Sequence, residues 1–440
     1  MNPPRRHLPL CIAVLGALAV TGCNNTRLEF QRAAAELPKI KAEIQAAGIS
    51  LDLKDLKPNI RPEEDAYPLL EPVIKQTELF KEAKKAVKNQ PNLADGQFLQ
   101  TMKAQLPKLD KMLDQLVLAT KRPSVDFRID WDNPNPVAID FTETTALKEA
   151  TPWLCYRGIA LAENGDYERA LRDFRAARQL ARYLGSVPIL IHHMVSLALE
   201  TTLTRALKAA AHWSRYNPGF LRDLNAILVD MQSEAHPGPR IVRGEMAYSS
   251  ACFRNPKLFQ SPEMADLYEL DPKEWTEDPV KVDAFHASIL SGSFAVLKIM
   301  ESKRSHKEII LELRTEFERR TSKSNPVNAL NRDLLLSYDN TYGLWIRRQS
   351  TIVLTQAAIE LSQRWAKLGR SPRGVEHLGD KFVDSYTSKP VLMVERQGKV
   401  YIYFPGMDFK DDGGVVWVDD VEEVLPPLQP KQAPLGQKTS

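Results

Sequence analysis

The chain has 440 residues, 43% hydrophobic and 26% charged, an ordinary globular composition that excludes collagen-like and disordered classes. Its 59 basic and 56 acidic side chains leave a formal charge of +3, too near neutral for a dedicated nucleic-acid binder. The 30 prolines against 20 glycines predict many helices punctuated by breaks.

Residues 1–22 read as an export signal. Arg5 and Arg6 form a positive start, and an apolar run of 13 residues follows from Leu8 to Val20. The run ends in Val20-Thr21-Gly22-Cys23, which resembles a bacterial lipobox. The small residues let an extended chain enter the signal peptidase, and the Cys23 thiol carries the lipid. Each buried CH₂ of such an anchor contributes about 0.8 kcal/mol. Loss of Arg5 and Arg6 brings the mature chain still closer to neutral. Asn24 rather than aspartate follows the cysteine, which by the enterobacterial sorting rule implies the outer membrane. No later run of about 18 apolar residues is found, so nothing else is expected to span a membrane. Cys155 and Cys252 remain as an even pair in an oxidising compartment, and the sequence leaves open a disulfide or two buried thiols.

Leu28, Phe30, Ala34, Leu37, Ile40 and Ile44 recur at helical spacing. Pro62-Glu63-Glu64-Asp65 predicts a helix start, with acids in the first turn. A helix is expected over residues 93–120, kinked at Pro107. Residues 125–132 alternate strictly, with Val125, Phe127, Ile129 and Trp131 on one side, and predict an extended segment with an apolar face. The acids of this segment fail the EF-hand pattern, because Pro134 and Asn135 occupy its fifth and sixth places. Residues 154–182 resemble a tetratricopeptide hairpin, with Gly158, Ala170, Phe174 and Ala177 at that repeat's small and aromatic positions. Gly165 reads as the first helix's stop and Asp166 as the second's N-cap. The period does not continue into a second copy. Further helices are expected over 187–212, 218–234, 240–253, 280–300, 307–319 and 344–368, with a long connection over 255–280. Strands over 391–394 and 400–404 joined through Arg396-Gln397-Gly398-Lys399 predict a hairpin, and 415–418 a third strand. Residues 425–440 are rich in Pro and Gln and read as a tail.

Candidate chemistry is sparse. There is no G-x-S-x-G, P-loop or G-x-G-x-x-G motif, so no catalytic or cofactor-binding residue is assigned. His192 and His193 lack the i, i+4 spacing of a zinc helix. Glu245 follows Gly244 inside a predicted helix, and with His192 and His193 it is the candidate lining of a groove. Asp408, Asp411 and Asp412 bunch three carboxylates beside Gly413 and Gly414. That pattern suits calcium or an ordinary solvated turn.

The order of segments resembles a large group of exported helical proteins of bacteria. The resemblance rests on Glu63 to Leu70, Arg122-Pro123 to Trp131, Gly165 to Leu171, and Arg243-Gly244-Glu245. The end resembles the major pseudopilins of type II secretion, in which a long helix leads through Gly-x-x-Pro (Gly369 to Pro372) to a small sheet and a calcium-associated turn at residues 403–414. The chain departs from that pattern at Asp384-Ser385-Tyr386, and it lacks the pilin N-terminal helix. These resemblances imply no activity.

The expected fold is mainly α, an irregular array of TPR-like helical hairpins with a small C-terminal α+β module. The expected domains are a signal peptide (1–22), a helical-hairpin domain (23–340), a long helix with a small sheet (341–424) and a tail (425–440). The expected function is a lipid-anchored, periplasm-facing scaffold whose groove binds a peptide or protein partner. An envelope hydrolase using Glu245, His192 and His193 is the alternative, as is a type II secretion accessory protein. Nucleic acid is not an expected partner.

Overall fold

Proline punctuation and apolar spacing give a chain of helices in which each buries a stripe against its neighbours. A computed structural model describes residues 23–87, 92–136, 139–260, 275–320, 327, 331–370, 373–375, 378, 381–384, 386–405, 411 and 420–425. The expected signal peptide, the third strand over 415–418 and all of the tail after Leu425 lie outside these residues.

The first helix is α1 (Cys23–Ala46). Its apolar stripe packs along α10 (Pro279–Met300), with Phe30 edge-on to Phe285 at 5.3 Å. By length and composition α10 could cross a membrane, which the sequence reading overlooked. It is instead mostly buried among the other helices, as a core helix is. Helices α2 (Tyr67–Ile74), α3 (Thr77–Ala86) and α4 (Gly96–Ala119) follow. Pro107 sits inside α4 as expected. Asp65 does not start a helix. It is buried at the head of α2, and a short parallel bridge joins it to Ser124.

The TPR-like hairpin forms as read. Helix α5 (Thr142–Glu163) ends before Gly165, which takes a φ of 83°, and Asp166 caps α6 (Tyr167–Ser186) by accepting the Arg169 N–H. Gly158 is required by close crossing: a Cβ there would lie 2.6 Å from the Phe174 ring. A buried ion pair adds to this packing. Arg157 on α5 grips Asp173 on α6 through Nε and Nη2 at 2.7 and 2.9 Å, and its Nη1 reaches Asp114 on α4 at 2.9 Å. One guanidinium thus ties three helices.

Helices α7 (Leu190–Trp213), α8 (Pro218–Gln232), α9 (Gly238–Arg254), α10 and α11 (His306–Arg320) complete the body. The last helix, α12 (Asn331–Leu368), starts thirteen residues before the expected position. Its first half joins the large core through Tyr338, Tyr342 and Ile346. Its second half carries Val353, Leu354, Ala358 and Leu361 into a separate small core. The expected boundary between residues 340 and 341 therefore falls within one helix that both cores share. Gly369 ends it at a φ of 65°. The small core is closed by an antiparallel sheet, β1 (Leu392–Arg396), β2 (Lys399–Phe404) and β3 (Asp420–Val424), in that order. Gln397 and Gly398 make the hairpin turn with φ of 52° and 73°, the left-handed pair that matches strand twist. The fold is mainly α with a small C-terminal sheet module, as the sequence implies.

Removing Asp173 takes away the buried partner of Arg157 and leaves it the exposed Asp114. Asp173→Ala should therefore lower unfolding stability by about 1–3 kcal/mol in denaturant titration. A loss below about 1 kcal/mol would show that Arg157 does not hold the hairpin.

Candidate functional site

Helix α9 approaches the start of α7 unusually closely. A Cβ on Gly244 would lie 1.6 Å from the Pro188 carbonyl oxygen, so no other residue fits there. The next side chain, buried Glu245, accepts the Leu190 N–H at 2.7 Å through Oε1. Ile189 offers α7 no side-chain cap, so Glu245 supplies one from the neighbouring helix.

Above this junction lies a cavity of about 680 Å³, within the usual range for ligand sites. Its walls come from distant parts of the chain: residues 56–60, the segment 123–131, the end of α6, the first turns of α7, residues 234–240, and Trp345 and Arg348 of α12. Asp65 fixes the wall segment 123–131. Its Oδ1 accepts the Tyr67 and Asp126 N–H groups at 3.0 and 2.9 Å, and its Oδ2 pairs with Arg128. Two backbone bonds, Ala66 N–H to Ser124 O and Ser124 N–H to Glu64 O, hold the same place. The alternation read from the sequence survives as burial: Val125, Phe127 and Trp131 are buried and Arg128 is exposed. The segment forms no ladder, because Arg128 turns the backbone to a φ of 59°. Two sequence landmarks, around Asp65 and around residues 122–131, thus meet at the cavity.

The floor is a cluster of charges. Glu200, 3% exposed, lies against both Arg178 and Arg348. Arg178 also contacts Glu234 at 2.8 Å, Arg182 contacts Asp230 at 3.1 Å, and Arg348 donates to the Met231 carbonyl at 2.8 Å. Arg240 donates to the Gly185 carbonyl, and burial lowers its affinity for its proton.

Four residues of the wall carry buried polar atoms with no hydrogen-bond partner among the described residues, among them Trp131 Nε1, His193 Nε2, His236 Nε2 and Arg348 Nη1. Burial pushes the His193 pKa down to about 3, and the nearby charges of Arg240 and Arg348 add to that. His236 is lowered well below its usual range by burial and by the proximity of His193 and His306. Both rings are therefore neutral at neutral pH. The Gly238 N–H donates to His236 Nδ1 at 3.0 Å, so the neutral ring carries its proton on Nε2. His236 is further set by Tyr342 and Trp345, whose ring centroids lie 4.4 and 4.6 Å away.

Of the three groove candidates, only His193 lines the cavity. Glu245 caps α7. His192 is shut in the core between Phe127 and Phe141, the latter ring 4.9 Å away. Cys155 and Cys252 are both buried and free, so no bond joins them here. Asp408 and Asp412 lie outside the described residues, while Asp411 is exposed and accepts the Tyr403 hydroxyl at 3.1 Å. Among the described residues no group of three or more His, Cys, Asp or Glu side chains is placed to hold a metal.

The sequence reading missed Trp131, His236, Arg240, Arg348 and the floor charges. A signal for the floor was present. Arg178 and Arg182, and Asp230 and Glu234, are like charges at i, i+4, an arrangement that repels unless the opposite pair faces it. Across α6 and the end of α8 the two pairs do face each other.

Burial pushes the His192 pKa down to about 3 from an ordinary 6.5. The unfolded chain takes up this proton below pH 6.5 and the folded chain does not. The associated stability is therefore complete above 6.5 and falls as the pH drops, by up to about 1.4 kcal/mol per pH unit. His192→Leu should flatten the fall in melting temperature between pH 7 and pH 5. Parallel pH curves for the two proteins would reject this.

No protein-family model, curated protein or solved structure matches this chain.

Proposed function

We propose that the chain is a binding protein of the bacterial envelope, held to the membrane by acyl groups on Cys23, whose cavity receives a segment of a peptide or partner protein. One observation carries the binding reading: the 680 Å³ cavity on whose wall four residues hold buried polar atoms without hydrogen-bond partners among the described residues. Buried polar groups cost roughly 1–3 kcal/mol when left unmade, which favours a site that a ligand completes. The aromatic rings of Phe127, Trp131, Tyr183 and Trp345 on the same wall suit the apolar part of a peptide. The lipobox and the signal-like run before it support export. The hydrolase alternative loses support, because Glu245 and His192 serve the packing of α7 and stand off the cavity wall.

A photo-crosslinking residue at Ile60, partly exposed on the cavity wall, tests this in the native envelope. It should give a peptide or protein adduct that the same residue at exposed Leu311 does not give. Labelled palmitate should enter the protein and be lost in Cys23→Ala. Equal adducts from both positions would overturn the cavity reading, and palmitate retained in Cys23→Ala would overturn the anchor.

Calcium at Asp408, Asp411 and Asp412 is a separate part of the proposal, supported by the three carboxylates the sequence bunches beside Gly413 and Gly414. Millimolar calcium should raise the melting temperature by several degrees, and Asp411→Asn should abolish the rise. An unchanged melt would remove calcium from this turn.

A further inference from the structure

The polarity of the unmet groups on the cavity wall specifies what the bound segment carries there. Resting on the binding reading above, we propose that the cavity recognises a carboxylate attached to an apolar or aromatic residue, as at the free C-terminus of a peptide.

On three of the four residues the unpartnered atoms are donors. Trp131 Nε1 and Arg348 Nη1 can only donate, and His236 Nε2 carries the ring proton because Nδ1 accepts from Gly238. The carboxylates on the floor, Glu200 and Glu234, are already engaged by Arg178, Arg182 and Arg348. Arg240, which donates to the Gly185 carbonyl and lies near Glu234, adds a further positive charge. The wall is therefore short of acceptors. A neutral ligand would satisfy some of these donors, but a carboxylate has two oxygens with about four acceptor positions and forms charge-assisted bonds to them. A sulfate or phosphate would also accept, yet the rest of the wall is unsuited to a bare inorganic anion. Phe127, Ile129, Leu197 and Trp345 line it, and partly exposed Leu56 and Ile60 continue it outward. An apolar side chain next to the carboxylate matches that surface. A peptide C-terminus and a free aromatic acid share this chemistry.

Calorimetric titration of the purified full chain with N-acetyl-Leu-Phe, its C-terminal amide and N-acetyl-Phe tests the proposal. The acid should bind at least about tenfold more tightly than the amide, the range expected for hydrogen bonds to a charged group. Trp131→Phe keeps the ring and removes the N–H, and it should reduce the preference for acid over amide about tenfold. His236→Gln provides a second test of the same preference should Trp131→Phe not fold. Tighter binding of the dipeptide than of N-acetyl-Phe identifies a peptide end as the source. Equal binding identifies a free acid. Acid and amide binding alike would overturn the carboxylate while leaving the cavity a binding site. Binding of none of the three, with wild-type folding intact, would overturn both.

Discussion

The contact between Gly244 and Pro188 sets the geometry on which the cavity depends. Two helices come so close that a single Cβ would stand inside a carbonyl group. Only at that distance can Glu245 reach the Leu190 N–H and start α7 in place. The start of α7 then fixes His193 one turn later on the cavity wall, with Glu200 two turns further on at the floor. A helix interior usually disfavours glycine by about 1 kcal/mol. Here that is offset by a capped, buried helix end that would otherwise leave a donor unmade.

The charged floor follows a different logic. Three arginines and three carboxylates share a region in which some members are almost wholly buried. Such clusters add little net stability over apolar packing, since desolvation opposes the attraction. Their effect here is positional. Arg348 is held by Glu200 and the Met231 carbonyl, so its remaining Nη1 is fixed in direction rather than free to swing. A guanidinium fixed in this way suits selection among ligands better than an exposed arginine of many rotamers.

Local rules made much of the fold legible. Gly165 and Asp166 end and begin helices through residue-level preferences that neighbours do not override. Gln397-Gly398 and the alternation from Val125 to Trp131 belong to the same kind. The site was far less legible. Its wall gathers residues near positions 60, 130, 190, 236 and 348, and no pattern within one segment announces such a meeting. Asp65 illustrates the limit. By sequence it is an acid in a helix's first turn, whereas folding makes it the buried acceptor for a chain sixty residues on. Glu245, His192 and His193 were singled out as chemically interesting, and two of them proved to be packing devices. The early start of α12 went unread because Tyr338 and Tyr342 belong to no obvious stripe until the large core surrounds them.

The continuity of α12 bears on how the molecule unfolds. Its 38 residues make a rod of about 57 Å at the usual helical rise. One end is clamped by the large core and the other by the small core and its sheet, and the helix runs unbroken from one to the other. Most of a helix's stability in a protein comes from the face it packs, so each core provides the other with a preformed docking surface. Melting of the sheet module would strip the far half of the rod, and melting of the body would strip the near half together with Arg348. The two cores are therefore thermodynamically coupled, and a protease cut between residues 340 and 341 would divide a single cooperative element rather than separate two independent units.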